Sequence, residues 1–268
     1  MPMPTQLKTA VVTGASSGIG AVYADRLAAR GYNLILVARR ADRLAALAQR
    51  LSEVHGIAVN TMTADLEKEA DLARVEAILA HDERIRVLVN NAGVSKVRPL
   101  SKTAVGDSLS QIALNVVALT RLTHAALPAF LSRNEGAIIN IASVLAIQYL
   151  PVSAVYSGTK AYVLAFTRGL QNEVAKTGVK VQLVLPGVTA TEIWTEGVSG
   201  VPLAMLNKDT VMTAEDMVDA ALAGFDQGEL VTWPSVADGD LWTKFDAARA
   251  ELFAATETGR PAPRYLKP

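Results

Sequence analysis

The sequence predicts an α/β domain, a doubly wound parallel sheet of about seven strands with helices on both faces. Three observations indicate this fold class. Short apolar segments alternate with segments of helical composition, the pattern of repeated βαβ units. A glycine-rich turn follows the first apolar segment, and polar motifs follow several later ones. In open parallel sheets, ligands bind beyond the carboxyl ends of the strands, so these motifs are expected to converge.

The apolar segments can be assigned as strands in chain order. The second, Asn33–Ala38, is continuously apolar, as a strand buried on both faces should be. The predicted strands are residues 9–13, 33–38, 57–62, 87–89, 137–141, 179–185 and 230–233. Five main helices are predicted. The first begins at the glycine turn, the second spans residues 39–54, and the third ends near residue 79. The fourth spans residues 105–131, and the fifth carries Tyr156 and ends near residue 175. Because no repeat or linker-like segment interrupts this order, we expect residues 1–268 to form a single domain.

The composition is that of a globular protein and excludes several classes of function. A chain of 268 residues buries about three quarters of its unfolded surface. Its 26 basic and 26 acidic residues give no global field that would favour nucleic acid or an anionic membrane. The absence of cysteine excludes disulfides and thiolate chemistry, and the three histidines lack metal-ligand spacing. Without a signal or membrane-spanning pattern, we expect a cytoplasmic protein with no metal.

The turn after the first strand has the features of an anion site. Residues 9–13 are followed by Gly14-Ala15-Ser16-Ser17-Gly18-Ile19-Gly20, which opens a helix. Glycines let the backbone approach a pyrophosphate, and the free N–H groups of a helix N-terminus face it. The turn also contains Gly-x-Ser-x-Gly, which is typical of a hydrolase nucleophile elbow. That interpretation requires a late histidine, and none follows His124.

Tyr156 and Lys160 form a candidate proton-transfer pair. Residues four apart on a helix project from the same face. An ammonium beside a phenol favours the phenolate, so we expect the pKa of Tyr156 to fall from about 10 toward neutrality. Ser143, thirteen residues upstream of Tyr156, could hold a substrate oxygen beside this acid. Alone, such a pair is also typical of a solvated helix face.

Taken in order, these motifs resemble those of the short-chain dehydrogenase/reductase family over about residues 7–235. The family's other motifs are matched by Asn90-Asn91-Ala92-Gly93, by Asn115 and by Pro186-Gly187-Val188-Thr189. The resemblance implies a Rossmann-type, NAD(P)-dependent oxidoreductase acting on a carbonyl or secondary alcohol. It implies Tyr156 as general acid or base, Lys160 as its partner and ribose ligand, and Ser143 as the group that orients the substrate oxygen. Asn115 would bend its helix so that a backbone carbonyl holds a water, although an Asn here could simply bond a neighbouring backbone group.

The resemblance also implies a set of dinucleotide contacts. They are Gly14, Ser16, Ser17, Gly18, Ile19, Gly20, Arg39, Arg40, Asp65, Leu66, Asn91, Ala92, Gly93, Tyr156, Lys160, Pro186, Gly187, Val188 and Thr189. After the second strand, Arg39 and Arg40 replace the carboxylate that would repel a 2′-phosphate, which favours NADP(H) over NAD(H). The arginines could also begin a solvated helix. Against NADP(H), the glycine turn has Ser16 and Ser17 where many NADP enzymes of the family have a basic residue. Asp65 could contact adenine or cap a helix.

Substrate and assembly are less closely defined by the sequence. Residues 191–212 occupy the family's lid position and carry Trp194, Val198, Val201, Pro202, Met205 and Leu206. An apolar lid favours an apolar carbonyl compound, but these residues could equally pack internally or form an oligomer contact. Residues 144–149 could also line the pocket. The resemblance implies a homodimer or homotetramer, and the tail, residues 236–268, is assigned no function.

Two other interpretations remain open at this stage. The chain could be a catalytically silent NADP-binding sensor on the same fold, although such proteins usually lose the Tyr or Lys that are both present here. It could also catalyse a carbon–carbon or epimerising reaction, because a fold does not determine a reaction.

Overall fold

The computed structural model describes residues 8–266. The chain divides between Pro234 and Ser235 into two compact units. The first unit holds the sheet, and the second holds one α-helix and a short 3₁₀ turn. The expectation of one domain over residues 1–268 stays a prediction.

The first unit contains a seven-stranded sheet in the order β3-β2-β1-β4-β5-β6-β7, with every neighbouring pair parallel. The strands are β1 Thr9–Thr13, β2 Asn33–Ala38, β3 Val59–Thr63, β4 Ile85–Asn90, β5 Gly136–Ile141, β6 Val179–Val184 and β7 Val231–Thr232. The predicted fold class is confirmed. The chain order reverses between β1 and β4, so the crevice beyond those two strands is the expected ligand site.

Helices flank the sheet and are close to the predicted ones. They are α1 Gly18–Ala29, α2 Ala41–His55, α3 Glu69–His81, α4 Val105–Ile112, α5 Leu119–Arg133, α6 Ala154–Val174 and α7 Ala214–Asp226. The second unit contains α8 Asp240–Ala254. The third strand was predicted at residues 57–62, but β3 begins two residues later, because its pairing with β2 begins at Val59. As an edge strand, β3 is mostly exposed, whereas β1 is buried throughout.

Alternate residues of the central strands supply two hydrophobic layers, one on each face of the sheet. Ala10 and Val12 face a cluster that includes Tyr23 of α1. Val11 faces the opposite cluster, which includes Phe130 of α5. This period of two, with both faces apolar, is why the central strands are continuous apolar runs.

The helix predicted over residues 105–131 is interrupted by a π-helical segment, Ala113–Ala118, which contains Asn115. By length and composition, the whole stretch Val105–Arg133 could cross a membrane. However, Leu122, Ala126 and Phe130 are buried in the protein core, and core helices of soluble proteins pass the same test.

Candidate active site

A cleft of about 560 Å³ lies beyond the carboxyl ends of the strands in the first unit. The loops after β1, β2, β4, β5 and β6 all contribute to it. Of the catalytic and cofactor-binding residues proposed from the sequence, Gly20 and Asn115 do not line the cleft. Those that line it are Gly14, Ser16, Ser17, Gly18, Ile19, Arg39, Arg40, Asp65, Leu66, Asn91, Ala92, Gly93, Ser143, Tyr156, Lys160, Pro186, Gly187, Val188 and Thr189.

The glycine turn has a shape that side chains would destroy. Gly14 and Gly18 have φ values of +66° and +52°, in the left-handed region. A Cβ on Gly20 would lie 2.4 Å from the carbonyl oxygen of Gly14. The N-cap residue of α1, Ser17, makes no side-chain capping bond, which leaves amide donors of the first turn available. This cradle of donors without side chains fits a dinucleotide pyrophosphate.

Hydrogen bonds fasten the loop after β4 to the end of β1. Thr13 Oγ1 accepts from the backbone N–H groups of Asn91 and Ala92, both at 3.0 Å. Asn91 Nδ2 donates to the carbonyl of Thr13 at 2.8 Å. The amide of Asn91 therefore braces two loops of the cleft.

Ser143, Tyr156 and Lys160 are brought together by β5 and α6. The Ser143 hydroxyl lies close enough to the Tyr156 phenol to lower the pKa of that phenol. Ser143 Oγ accepts from the backbone N–H of Leu145 at 3.2 Å. Lys160 Nζ lies 5.6 Å from the centroid of the Tyr156 ring and donates to the carbonyl of Ile141 at 2.8 Å.

The prediction that Lys160 lowers the pKa of Tyr156 toward neutrality is wrong for the cofactor-free protein. Burial raises the pKa of Tyr156 to about 12, and the nearby Ser143 hydroxyl offsets only part of this. Burial also lowers the pKa of Lys160 to about 8. The ammonium lies near the ring face and bonds to the Ile141 carbonyl, so desolvation outweighs its attraction for a phenolate.

Asn115 fixes the loop after β4 against α6. Its Oδ1 accepts from the backbone N–H of Val94 at 2.9 Å, and its Nδ2 donates to the Val94 carbonyl at 2.9 Å and to Thr159 Oγ1 at 3.0 Å. A Cβ on Gly93 would lie 3.1 Å from Asn115 Oδ1 and 3.7 Å from Lys160 Nζ. Asn115 is thus close to Lys160, and the water that Asn115 would help to place stays a prediction.

Beyond β2, Arg40 reaches back over the glycine turn. Its guanidinium donates to Ser16 Oγ at 3.1 and 2.9 Å and to Ser17 Oγ at 2.6 Å. The two serines, which appeared to weigh against NADP(H), therefore hold an arginine at the cleft. Arg39 also lines the cleft and is exposed.

Three residues around this arginine were missed by sequence reasoning. Glu192 forms an ion pair with Arg40 at 2.5 Å and another with Arg43. Thr191 also lines the cleft, and its Cγ2 would be 2.9 Å from a Cβ on Gly18. Arg43, one turn after Arg40 on α2, could have been found by helical spacing. The partner carboxylate, far away in the sequence, could not.

Asp65 lines the cleft and does not cap a helix. Its Oδ1 accepts from the backbone N–H of Glu67 at 3.2 Å. Helix α3 begins at Glu69 with Lys68 at the N-cap position, so the capping alternative is wrong.

The remaining wall of the cleft is apolar and comes largely from the predicted lid. Trp194 is held by a hydrogen bond from its indole Nε1 to the Thr189 carbonyl at 2.9 Å. Met205 and Tyr149 are each 77% exposed and do not line the cleft. The apolar residues that line this part are Val94, Val97, Val144, Leu145, Leu150, Ile193, Trp194, Val198, Val201 and Leu206.

Comparison with known proteins supports a family assignment. Residues 8–200 match the model of the family described as short chain dehydrogenase. A short-chain dehydrogenase from Sphingobium yanoikuyae in complex with NADPH is 43% identical, with a TM-score of 0.93 over 97% of this chain and 100% of that one. The bulky-bulky ketone specific alcohol dehydrogenase from Comamonas testosteroni is 39% identical, with a TM-score of 0.90 over 98% and 100%.

A curated relative of different length matches the same region. Very-long-chain 3-oxoacyl-CoA reductase-B from Danio rerio is 35% identical over 190 residues, 69% of this chain. The match spans 61% of the Danio protein.

Proposed function

The chain belongs to the short-chain dehydrogenase family, and its structural relatives include an alcohol dehydrogenase that acts on ketones. We propose that it is an NADP(H)-dependent reductase of apolar ketones with Tyr156 as general acid. The observation that carries this proposal is that Ser143, Tyr156 and Lys160 line the same cleft as the glycine turn, with the Lys160 ammonium 5.6 Å from the centroid of the Tyr156 ring.

When bound, the nicotinamide supplies the hydride for reduction of the carbonyl or accepts it from the alcohol. Tyr156 donates its phenolic proton to the substrate oxygen during reduction. Ser143 donates a hydrogen bond to that oxygen, and this contact strengthens as negative charge develops there. With a pKa of about 12, Tyr156 is protonated at neutral pH and is ready to act as an acid. The reverse reaction requires the phenolate, so we expect oxidation to be faster in alkaline solution.

The residues present fit NADP(H). The glycine turn would hold the pyrophosphate, and Lys160 would donate to the ribose hydroxyls. The two residues directly after β2 are Arg39 and Arg40, so no carboxylate stands there to repel a 2′-phosphate, and Arg40 is held at the cleft by Ser16 and Ser17. The complex of the Sphingobium relative with NADPH supports the same choice.

An uncharged, bulky ketone fits the apolar wall best. The charged residues that line the cleft are Arg39, Arg40, Asp65, Lys160 and Glu192, and all but Lys160 lie on the loops around the glycine turn. An anionic substrate would therefore find no cationic partner among the lid residues that line the cleft. The arginines of the lining, Arg39 and Arg40, lie beside the glycine turn. The name of the Comamonas relative supports a ketone with two large substituents.

A substrate panel tests this function. The purified protein is incubated with NADPH or NADH and with small ketones, aryl or branched ketones, and 3-oxoacyl thioesters, and nicotinamide absorbance is followed. We expect the highest kcat/KM for NADPH with bulky ketones, and a loss of turnover with retained NADPH binding for Tyr156→Phe. Binding without turnover of any carbonyl would instead favour the silent sensor.

The outer faces of α4 and the π segment are the proposed contact between copies of the chain. Val105 is 75% exposed and Leu109 58% exposed, and Ile112, Val117 and Tyr162 also expose large apolar surfaces. Such a surface favours a homo-oligomer. Light scattering after size-exclusion chromatography tests this, and a monomer at micromolar concentration would refute it. We further propose a cytoplasmic location, because the formal net charge of zero gives no electrostatic attraction to an anionic membrane surface.

A further inference from the structure

Arg40, one of the two arginines that favour NADP(H), already has an anionic partner within the chain, and this partner also binds Arg43 on the next turn. Glu192 places one carboxylate oxygen 2.5 Å from Arg40 and the other against Arg43. Glu192 follows Pro186–Thr189 in sequence and lines the cleft. A carboxylate between two guanidinium groups accepts hydrogen bonds from the same N–H donors that would bind a phosphate, and it presents a negative charge to them as a phosphate would.

The contact is built so that it can be broken. The side chains of Arg40, Arg43 and Glu192 are 41%, 50% and 50% exposed. Exposed ion pairs contribute little to stability, because water solvates the separated charges well. A ligand phosphate carrying more than one negative charge can therefore displace the carboxylate.

Glu192 is not required to hold Arg40 in place. Three hydrogen bonds from the Arg40 guanidinium to Ser16 and Ser17 already fix its position over the glycine turn. Removal of the Glu192 charge would leave these bonds intact, so the effect of the carboxylate on an incoming anion is mainly competition and repulsion.

We propose that Glu192 is a specificity-determining residue that competes with the 2′-phosphate of NADP(H) for Arg40 and Arg43. This inference rests on the proposed function, because it assumes that these arginines receive that phosphate. Glu192 lowers the affinity for the phosphorylated dinucleotide and leaves that for NAD(H) unchanged. It thereby narrows the difference between the two cofactors.

Binding of nucleotide fragments to the cofactor-free protein tests this inference without catalysis. Adenosine 2′,5′-bisphosphate and 5′-AMP are titrated by calorimetry into the wild type, Glu192→Gln and Glu196→Gln. Glu196 is the matched control, because it is exposed in the same segment and has no ion pair among the residues described. For Glu192→Gln we expect about tenfold tighter binding of the bisphosphate, the order expected for removing a unit charge about 6 Å from a doubly charged phosphate at a well-hydrated site. Binding of 5′-AMP should change less than about twofold, since it lacks the 2′-phosphate.

The outcomes separate this inference from the proposed function. If the wild type prefers the bisphosphate but Glu192→Gln binds it equally or more weakly, Glu192 positions the arginines or is inert, and the inference alone fails. Equal tightening of both nucleotides also overturns it. If neither protein distinguishes the two nucleotides, the assignment of NADP(H) fails, and the inference fails with it. The gain for Glu192→Gln should shrink as salt is raised, because the charges are exposed.

Discussion

Lys160 is predicted to destabilise the folded chain below about pH 8. Its side chain is 5% exposed, and burial lowers its pKa from 10.5 to about 8. The folded state thus binds the proton of this ammonium less tightly than the unfolded state does. Between about pH 8 and pH 10.5 the unfolded chain holds more protons, so the free energy of unfolding rises with pH across that window. Below it the full cost of burying the charge is present.

The perturbation is Lys160→Met, which removes the charge and keeps most of the volume. From the two pKa values, the difference in unfolding free energy between wild type and variant should change by about 2 kcal/mol from pH 7.5 to pH 9.5, in favour of the wild type at the higher pH. The variant also leaves the Ile141 carbonyl without its donor. That cost does not depend on pH, and it cancels when the two pH values are compared.

Urea unfolding of the nucleotide-free protein at the two pH values provides the measurement. The exposed Lys176, just after α6, is changed to Met as a matched control and should show no such pH-dependent difference. Tyr156 acts in another window and with opposite sign: its raised pKa costs stability between about pH 10 and pH 12. A wild-type minus Lys160→Met difference that is constant within about 0.5 kcal/mol would refute the reasoning, since one pKa unit corresponds to about 1.4 kcal/mol.

Three further predictions concern the cleft. Ser143→Ala should raise the pKa of Tyr156 further, because it removes the hydroxyl that lowers it. It should reduce turnover about 100-fold and move the alkaline limb of alcohol oxidation to higher pH; an unchanged pH profile would contradict this. Gly20→Ala should abolish NADPH binding in a fluorescence titration, because its Cβ would lie 2.4 Å from the Gly14 oxygen, whereas the control Gly169→Ala, on an open helix surface, should raise the free energy of unfolding by about 0.5–1 kcal/mol. Arg40→Ala should weaken NADPH binding by about 10- to 100-fold, as expected for a lost charge-assisted contact, and should leave NADH nearly unaffected; equal losses for both cofactors would refute the assigned role.

Much of the fold could be predicted, because the strongest signals are local. The apolar run of β2 fits only a strand buried on both faces, and its predicted bounds agree with the structure. Gly14 and Gly18 mark a turn that requires positive φ. The edge strand β3 was displaced in the prediction because its alternating, exposed residues carry a weaker signal than a buried strand. The π segment at Ala113–Ala118 could not be distinguished from α-helix, since six residues are too few to show a change of hydrophobic period.

The electrostatics of the site could not be predicted from spacing. Tyr156 and Lys160 lie four apart on α6, as expected, but a pKa depends on desolvation and on the atom that the ammonium bonds. That atom is a carbonyl at the end of β5, nineteen positions away in sequence. Likewise, the partner of Arg40 is Glu192, 152 residues later, which only the folded chain reveals.

The hydrogen bonds of Lys160 show why a buried ammonium belongs in this cleft. An ammonium has three N–H donors, and among the residues described one is used, by the Ile141 carbonyl. Lys160 lines the cleft, so its remaining donors can reach a bound ligand. Hydroxyls of a ribose would satisfy those donors without neutralising the charge. A cofactor bound there would then repay part of the desolvation cost that the empty chain carries, and it would raise the pKa of Lys160. Proton uptake on NADPH binding near pH 8.5, absent in Lys160→Met, is the calorimetric signature of that exchange, and binding without proton uptake would contradict it.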